Sequence, residues 1–217
     1  MKKKNSAIAA LLEVTEKLRS PQGCPWDRQQ DHRSIRHHAI EEVYELLDAI
    51  ESRDDQEMVE ELGDLLWQVV FHSQLGRERG AFDFERVAQY ITDKLVRRHP
   101  HVFGDVKVRS MEEVWANWEK IKAAEKDGTR HARPSALDGV PRHLPALMRA
   151  ERLIKKARKA KLLAPGRAKK RAGKAAIARQ LFDLTRQAEA GGWSAEELLC
   201  RETANYERKW RRREWKK

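Results

Sequence analysis

The sequence predicts an all-α chain built as a four- or five-helix bundle. Three features carry that prediction. Apolar residues recur at three- and four-residue spacing along several stretches, the mark of helices with one apolar face. Asp or Ser followed three residues later by Glu opens three of them, at Asp54 and Glu57, Ser110 and Glu113, and Ser194 and Glu197. Clusters of Pro, Gly and Ser, such as Ser20-Pro21-Gln22-Gly23, close others.

Taken in order, residues 6–19 place Ile8, Leu11, Leu12, Thr15 and Leu18 on one helical face. Gly23-Cys24-Pro25-Trp26-Asp27 follows as an irregular segment with an exposed Trp, either plugging the edge of the core or framing a site. Residues 33–52 form an amphipathic helix, with Ile40, Val43, Tyr44, Leu46, Leu47 and Ile50 on the apolar face and Glu41, Glu42, Glu45 and Asp48 on the other. The next helix is apolar nearly all round over residues 62–75, and Asp64 is its lone formal charge. Such a helix is expected to be buried, so a carboxylate in it needs a partner or a metal. Glu61, Asp64, Gln68 and His72 share one narrow stripe of it. A turn is expected at residues 76–80. A third helix opens at Phe82-Asp83-Phe84 and ends at Arg97-Arg98-His99-Pro100-His101. Residues 102–109 read as a loop, and the helix after Ser110 carries Val114, Trp115, Trp118 and Ile121.

Charge divides the chain. Residues 1–130 hold 21 Lys+Arg against 25 Asp+Glu, a net of −4, and residues 131–217 hold 24 against 9, a net of +15. Two cysteines, Cys24 and Cys200, make no disulfide framework and fit a reducing compartment. The apolar run after Met1-Lys2-Lys3-Lys4 is too short for a secretory signal, and no stretch approaches the ~18 apolar residues of a membrane span. The expectation is a cytoplasmic protein with no membrane contact.

Chemistry concentrates in residues 41–64. On a helix, Glu42 and Glu45 point the same way, as do Glu61 and Asp64. Two such helices side by side would gather four carboxylates, which repel unless protonated or bound to a cation. An all-oxygen set favours a hard cation such as Mg²⁺. The competing explanations are a solvated acidic face for the first helix and a buried ion pair for Asp64. Lys94 and Arg98, four apart, either complement the end of their helix or clamp a phosphate.

These residues resemble the MazG family of all-α nucleoside triphosphate pyrophosphohydrolases. The resemblance rests on Glu41-Glu42-x-x-Glu45 with Glu61-x-x-Asp64, on Gly23-Cys24-Pro25-Trp26-Asp27, on residues 94–103 and 118–122, and on residues 135–147, over roughly residues 6–158. It implies hydrolysis of (d)NTPs to the monophosphate and pyrophosphate with Mg²⁺, or Mn²⁺ as a substitute. It implies Glu42, Glu45, Glu61 and Asp64 as metal ligands and Glu41 beside them as the catalytic group handling water. Lys94 and Arg98 match phosphate contacts, Trp118 and Lys122 match positions near the nucleotide, and His38 is a further substrate contact. Glu57 departs from the pattern, standing where some members carry Lys. A homodimer or higher homo-oligomer, with the partner covering the site, is the family expectation. Phosphoribosyl-ATP pyrophosphohydrolase and dUTPase-like proteins are the related alternatives.

Longer members of that family carry two copies of the helical domain. The expectation is a catalytic domain at 1–130 and a degenerate, basic second copy at 131–217. If Leu181-Phe182 corresponds to Leu66-Trp67, the counterparts of Glu61 and Asp64 are Ala176 and Arg179, which cannot hold a metal. Residues 155–174 carry ten basic residues and no acid. They are either a solvated linker or a weak nucleic-acid contact, and the alternative function is a nucleic-acid- or regulator-binding protein acting through this region.

Overall fold

The computed structural model describes residues 6–129, 132, 134–163 and 172–216. Residues 1–4, the expected boundary at 130/131, and residues 164–171 of the basic run lie outside the described residues. Every regular element among the described residues is helical. The chain forms two compact units that meet in sequence between Ile121 and Lys122.

The first unit begins with α1, Ala7–Arg19, whose N-cap Ser6 accepts from the Ala9 amide. Its only buried residue is Thr15, which turns its hydroxyl back onto the Leu11 carbonyl at 2.9 Å. The chain then reverses at Gly23. A Cβ there would lie 2.1 Å from the Leu18 carbonyl oxygen, so only glycine lets the backbone pass this close. The segment expected to be irregular is a short helix, α2, Pro25–Gln29, because Pro25 at its start presets the helical φ. Trp26 is exposed, as expected.

A 3₁₀ turn over Ile35–His37 leads into α3, His38–Ser52. Arg53, with φ 60, and Asp54 then make a two-residue corner into α4, Asp55–Glu78. Asp54 caps α4 by accepting from the Gln56 and Glu57 amides, as the sequence predicts. The helix runs further than expected, through residues 76–78. Gly76 is part of the helix, and Phe82 packs so close to it that no side chain fits there.

Burial along this hairpin differs from the amphipathic expectation. The apolar stripe of α3 (Ile40, Val43, Tyr44, Leu47, Ile50) is exposed, whereas Ala49 is buried and Glu42 is half-buried. On α4 only the later half is buried, around Gln68, Val70, Phe71 and Leu75, and Leu62, Leu66 and Asp64 are exposed. Asp64 is therefore not a charge sunk in a core. The core of the unit is Ile35, Phe71 and Leu75, with Trp67 against it.

Helix α5, Phe84–Arg98, is capped by Asp83. Part of the expected loop after it is a further turn, α6, Pro100–Phe103, again started by proline. Helix α7, Met111–Ala124, opens on Ser110, which accepts from the Glu113 amide at 3.3 Å. Arg19 ties the early elements together. Its guanidinium grips Glu78 at 2.6 and 2.7 Å, donates to the Asp27 and Gln30 carbonyls, and lies over the Phe71 ring. That grip holds the Glu78 carboxyl below its usual range.

The second unit contains α8, Ala146–Lys159, α9, Lys174–Ala190, and α10, Ala195–Glu214. Its core gathers Leu137, Leu153, Ala157, Leu162 and Trp210. Arg149, buried on α8, is paired with Glu207 of α10 at 2.5 Å.

Replacing Gly76 with Ala should destabilise the first unit by about 1–3 kcal/mol through overpacking, since the new methyl would sit 2.7 Å from both the ring and the carbonyl of Phe82. Denaturant melts of Gly76→Ala against wild type check this, and an unchanged midpoint would show that the α4–α5 turn gives way freely.

Candidate active site

The α3–α4 hairpin sets the site. Glu42 and Glu45 stand one turn apart on α3, and α4 brings Glu61 to meet them. One carboxylate oxygen from each of the three lies within 4.8 Å of the others. Asp64 is outside that group but close enough to act on it. Burial first, and then the charges of Asp64 and Glu45, push the Glu42 carboxyl above its ordinary value. Glu61 is raised as well, by desolvation first and by Glu45 and Asp64 next. Desolvation is the larger cause of both shifts, and the neighbouring negative charges that add to it are what a divalent cation would relieve. The donor set is all carboxylate and fits a hard cation.

Glu41 faces elsewhere. Its carboxylate meets His38 Nδ1 at 2.9 Å on the exposed side of α3. His38 itself is half-buried and reaches a cavity of about 190 Å³ lined by Trp26, Ile35, His38, Glu42, Trp67, Gln68 and Phe71. Glu42 is thus shared between the carboxylate group and this cavity. Gln68 forms the floor beside it. It is 6 % exposed, and its Nε2 donates to Glu42 Oε1 at 3.4 Å.

A second group forms around Trp118 on α7. Arg98, at the end of α5 and 9 % exposed, lays its guanidinium over the Trp118 ring at 5.1 Å, and His99 meets the same ring edge-on at 5.2 Å. Lys94 is half-buried one turn earlier on α5. Lys122 lies in the last turn of α7, one turn beyond Trp118. The expected site residues therefore fall into two groups, one on α3–α4 and one on α5–α7.

Sequence reasoning did not assign Gln68 to the site, although its place in the stripe with Glu61 and Asp64 marks it. It also missed His32, which lies in a loop where no periodicity applies. His32 Nδ1 meets His72 Nδ1 at 2.8 Å, with the rings stacked at 5.1 Å. The other face of His32 stacks on Phe82, and its Nε2 is buried without a partner. His72 follows Gln68 by one turn of α4, so the pair lies next to the cavity floor.

An all-α domain whose central hairpin brings carboxylates together for a hard cation is the class that this fold and site define. Residues 30–103 match the family model described as the MazG nucleotide pyrophosphohydrolase domain, so this part of the chain is a domain of the MazG family. It is 49% identical over 150 residues to the nucleoside triphosphate pyrophosphohydrolase of Escherichia coli K12, covering 69% of this chain and 56% of that protein. It is 47% identical over 153 residues to the nucleoside triphosphate pyrophosphohydrolase/pyrophosphatase MazG of Thermotoga maritima, covering 70% and 57%. To YabN of Bacillus subtilis, an uncharacterised protein, it is 51% identical over 148 residues, covering 68% of this chain and 30% of that one. The chain thus spans little more than half the length of the two named pyrophosphohydrolases. A solved MazG-related protein from Thermotoga maritima matches 52% of this chain and 97% of its own, at 27% identity and a TM-score of 0.45.

The histidine pair makes stability depend on pH. Burial first, and then the charge of His32, hold His72 below the ordinary histidine value of 6.5. As pH falls, the unfolded chain takes up the proton first. The contribution of His72 is therefore present above about 6.5 and is lost as pH drops below it toward the folded value. Thermal melts between about pH 5 and 8 should show that fall in wild type and a flatter profile in His72→Gln. Equal slopes would assign the dependence to other groups.

Proposed function

We propose that this chain is a Mg²⁺-dependent nucleoside triphosphate pyrophosphohydrolase, converting (d)NTP and water to (d)NMP and pyrophosphate. The observation that carries this is the meeting of Glu42, Glu45 and Glu61 inside the segment that matches the MazG model. The names of the relatives support it. Glu42, Glu45, Glu61 and Asp64 would hold the cation. When bound, Mg²⁺, or Mn²⁺ in its place, neutralises triphosphate charge and acidifies water.

The chain's own groups do the rest. The half-enclosed cavity takes the base between Trp26 on one side and Trp67 and Phe71 on the other. Gln68 and His38 border it with polar atoms. Lys94 and Arg98 meet the phosphates, and Arg98 is already fixed in direction by Trp118. Trp118 and Lys122 supply further nucleotide contacts on α7. Water attacks phosphorus, the anhydride P–O bond breaks, and pyrophosphate leaves. Glu41 accepts the proton of the water once its carboxylate leaves His38 and turns toward the acids of the α3–α4 hairpin.

The open apolar stripe on α3 supports a homodimer in which a second copy covers it. The second unit is proposed to be a degenerate copy of the first, since Ala176 and Arg179 replace the acids. Two unpaired cysteines support a cytoplasmic setting.

Two experiments test these proposals. With Mg²⁺, wild type should release monophosphate and pyrophosphate from the common (d)NTPs, and removal of Mg²⁺ should stop it. Glu42→Gln or Asp64→Asn should cut the rate by about 10²-fold or more, and release that survives in both would sink the site. Sedimentation should find wild type as a dimer or larger and the double variant Val43→Glu with Leu47→Glu as a monomer. A monomeric wild type would remove the proposed partner.

A further inference from the structure

The second unit leaves a surface that pyrophosphate chemistry does not use. Its acids are largely committed to internal bonds. Glu207 pairs with Arg149 and Arg211, and Asp138 with Arg211. Glu214 accepts from the Ser135 hydroxyl and the Ala136 amide, and Glu196 from the Ala146 amide. Glu202 holds Asn205, and Asp183 pairs with Arg186. That accounts for six of the nine acids between residues 131 and 217. These bonds leave most of the Lys and Arg of the unit without an acid of their own, in line with its net charge of +15.

On α10 the leftover cations form a line. Arg201, Arg208 and Arg212 are all exposed, and with Asn205 they fall at i, i+4, i+7 and i+11, one side of a helix. The line is about 16 Å long at the helical rise of ~1.5 Å per residue. Arg208 donates to Asn205, which keeps its guanidinium on that side.

The line ends at a cavity of about 370 Å³ lined by Gly192, Trp193, Ser194, Glu197, Leu198 and Arg201. Trp193 is 64 % exposed but is not loose. Its amide donates to the Ala188 carbonyl at 2.9 Å, and its ring rests on Gly191, where a Cβ would come within 3.1 Å of it. One face of the indole is seated on the turn and the rest of the ring is open. A fixed aromatic plane beside an arginine, continuing into a row of arginines, is the arrangement that takes a stacked base and the phosphates that follow it.

We propose that α10 and the cavity at its start bind single-stranded nucleic acid, with a base on Trp193 and backbone phosphates along Arg201, Arg208 and Arg212. Glu197 is placed to accept from the exocyclic amine of that base. This is independent of the pyrophosphohydrolase proposal. The contact it names lies on α10, apart in sequence from residues 155–174. A duplex has its bases paired and stacked and offers none to Trp193, so phosphates alone would hold it.

The test is fluorescence anisotropy of the full chain with a labelled single-stranded oligonucleotide, as RNA and as DNA, across a salt series. Competitors are an unlabelled duplex and anionic phospholipid vesicles. Binding should weaken steeply with salt, with a log–log slope of about −0.7 per phosphate contacted. The triple variant Arg201→Gln, Arg208→Gln, Arg212→Gln should lower that slope by about 2. Trp193→Ala should weaken binding about fivefold or more while leaving the slope unchanged, and Trp193→Phe should restore it. Circular dichroism of each variant confirms that the helices remain, and hydrolysis of nucleotide should be unaffected. Affinity weaker than about 10⁻⁴ M at low salt overturns the proposal. So does a slope the triple variant leaves unaltered, or competition by duplex or vesicles as strong as by single strand.

Discussion

The mutual repulsion of carboxylates across the α3–α4 hairpin is the constraint from which the rest of the first unit follows. A two-residue corner at Arg53 and Asp54 forces the two helices to run back along each other. That brings Glu61 of α4 to Glu42 and Glu45 of α3. The carboxyls of Glu42 and Glu61 are raised by desolvation first and by neighbouring negative charge next, and both oppose the charged forms in the bare chain. Folding energy elsewhere holds the arrangement in place. It comes from the later half of α4, where Phe71 and Leu75 pack with Ile35, and from the Asp54 cap. The acids therefore sit at the less buried end of a helix whose other end is anchored, so their repulsion is set against a core several turns away.

The cavity beside the acids depends on a second tie. Trp26 forms one wall but lies on a five-residue helix with little packing of its own. Arg19 fixes that helix through the Asp27 and Gln30 carbonyls while gripping Glu78 at the end of α4. The same guanidinium lies over Phe71, which also lines the cavity. One arginine thus ties two residues of the lining together. Gln68 links the cavity to the metal-type acids by donating to Glu42. Geometry at the carboxylates and geometry at the pocket are coupled through that amide.

Much of this was legible in the sequence, and the exceptions have a common cause. Caps at Asp54, Asp83, Ser110 and Ser194 stand where local chemistry places them, because a cap is decided within a few residues. Facing is not local. The apolar stripe of α3 suggested a core face, yet Ile40, Val43, Tyr44 and Leu47 are open while Glu42 turns inward. Periodicity reveals that a stripe exists but not which body it faces. Asp64 repeats the lesson, since an apolar run around it implied burial that the single chain does not supply. The His32–His72 contact was invisible for a different reason. It joins a loop residue to a helix forty positions away, and no pattern in either segment refers to the other.

The two units use the same residue type in opposite ways. In the first, acids are left facing acids, an arrangement relieved by protonation or by a cation. In the second, acids are matched to arginines, backbone amides and hydroxyls within the unit. Pairing of that kind makes a carboxylate structural and removes it from chemistry. It also leaves the cations that have no acid to meet, and these lie outward along α10. A unit that ties many of its acids into internal bonds thus leaves its large excess of Lys and Arg to dominate the face along α10.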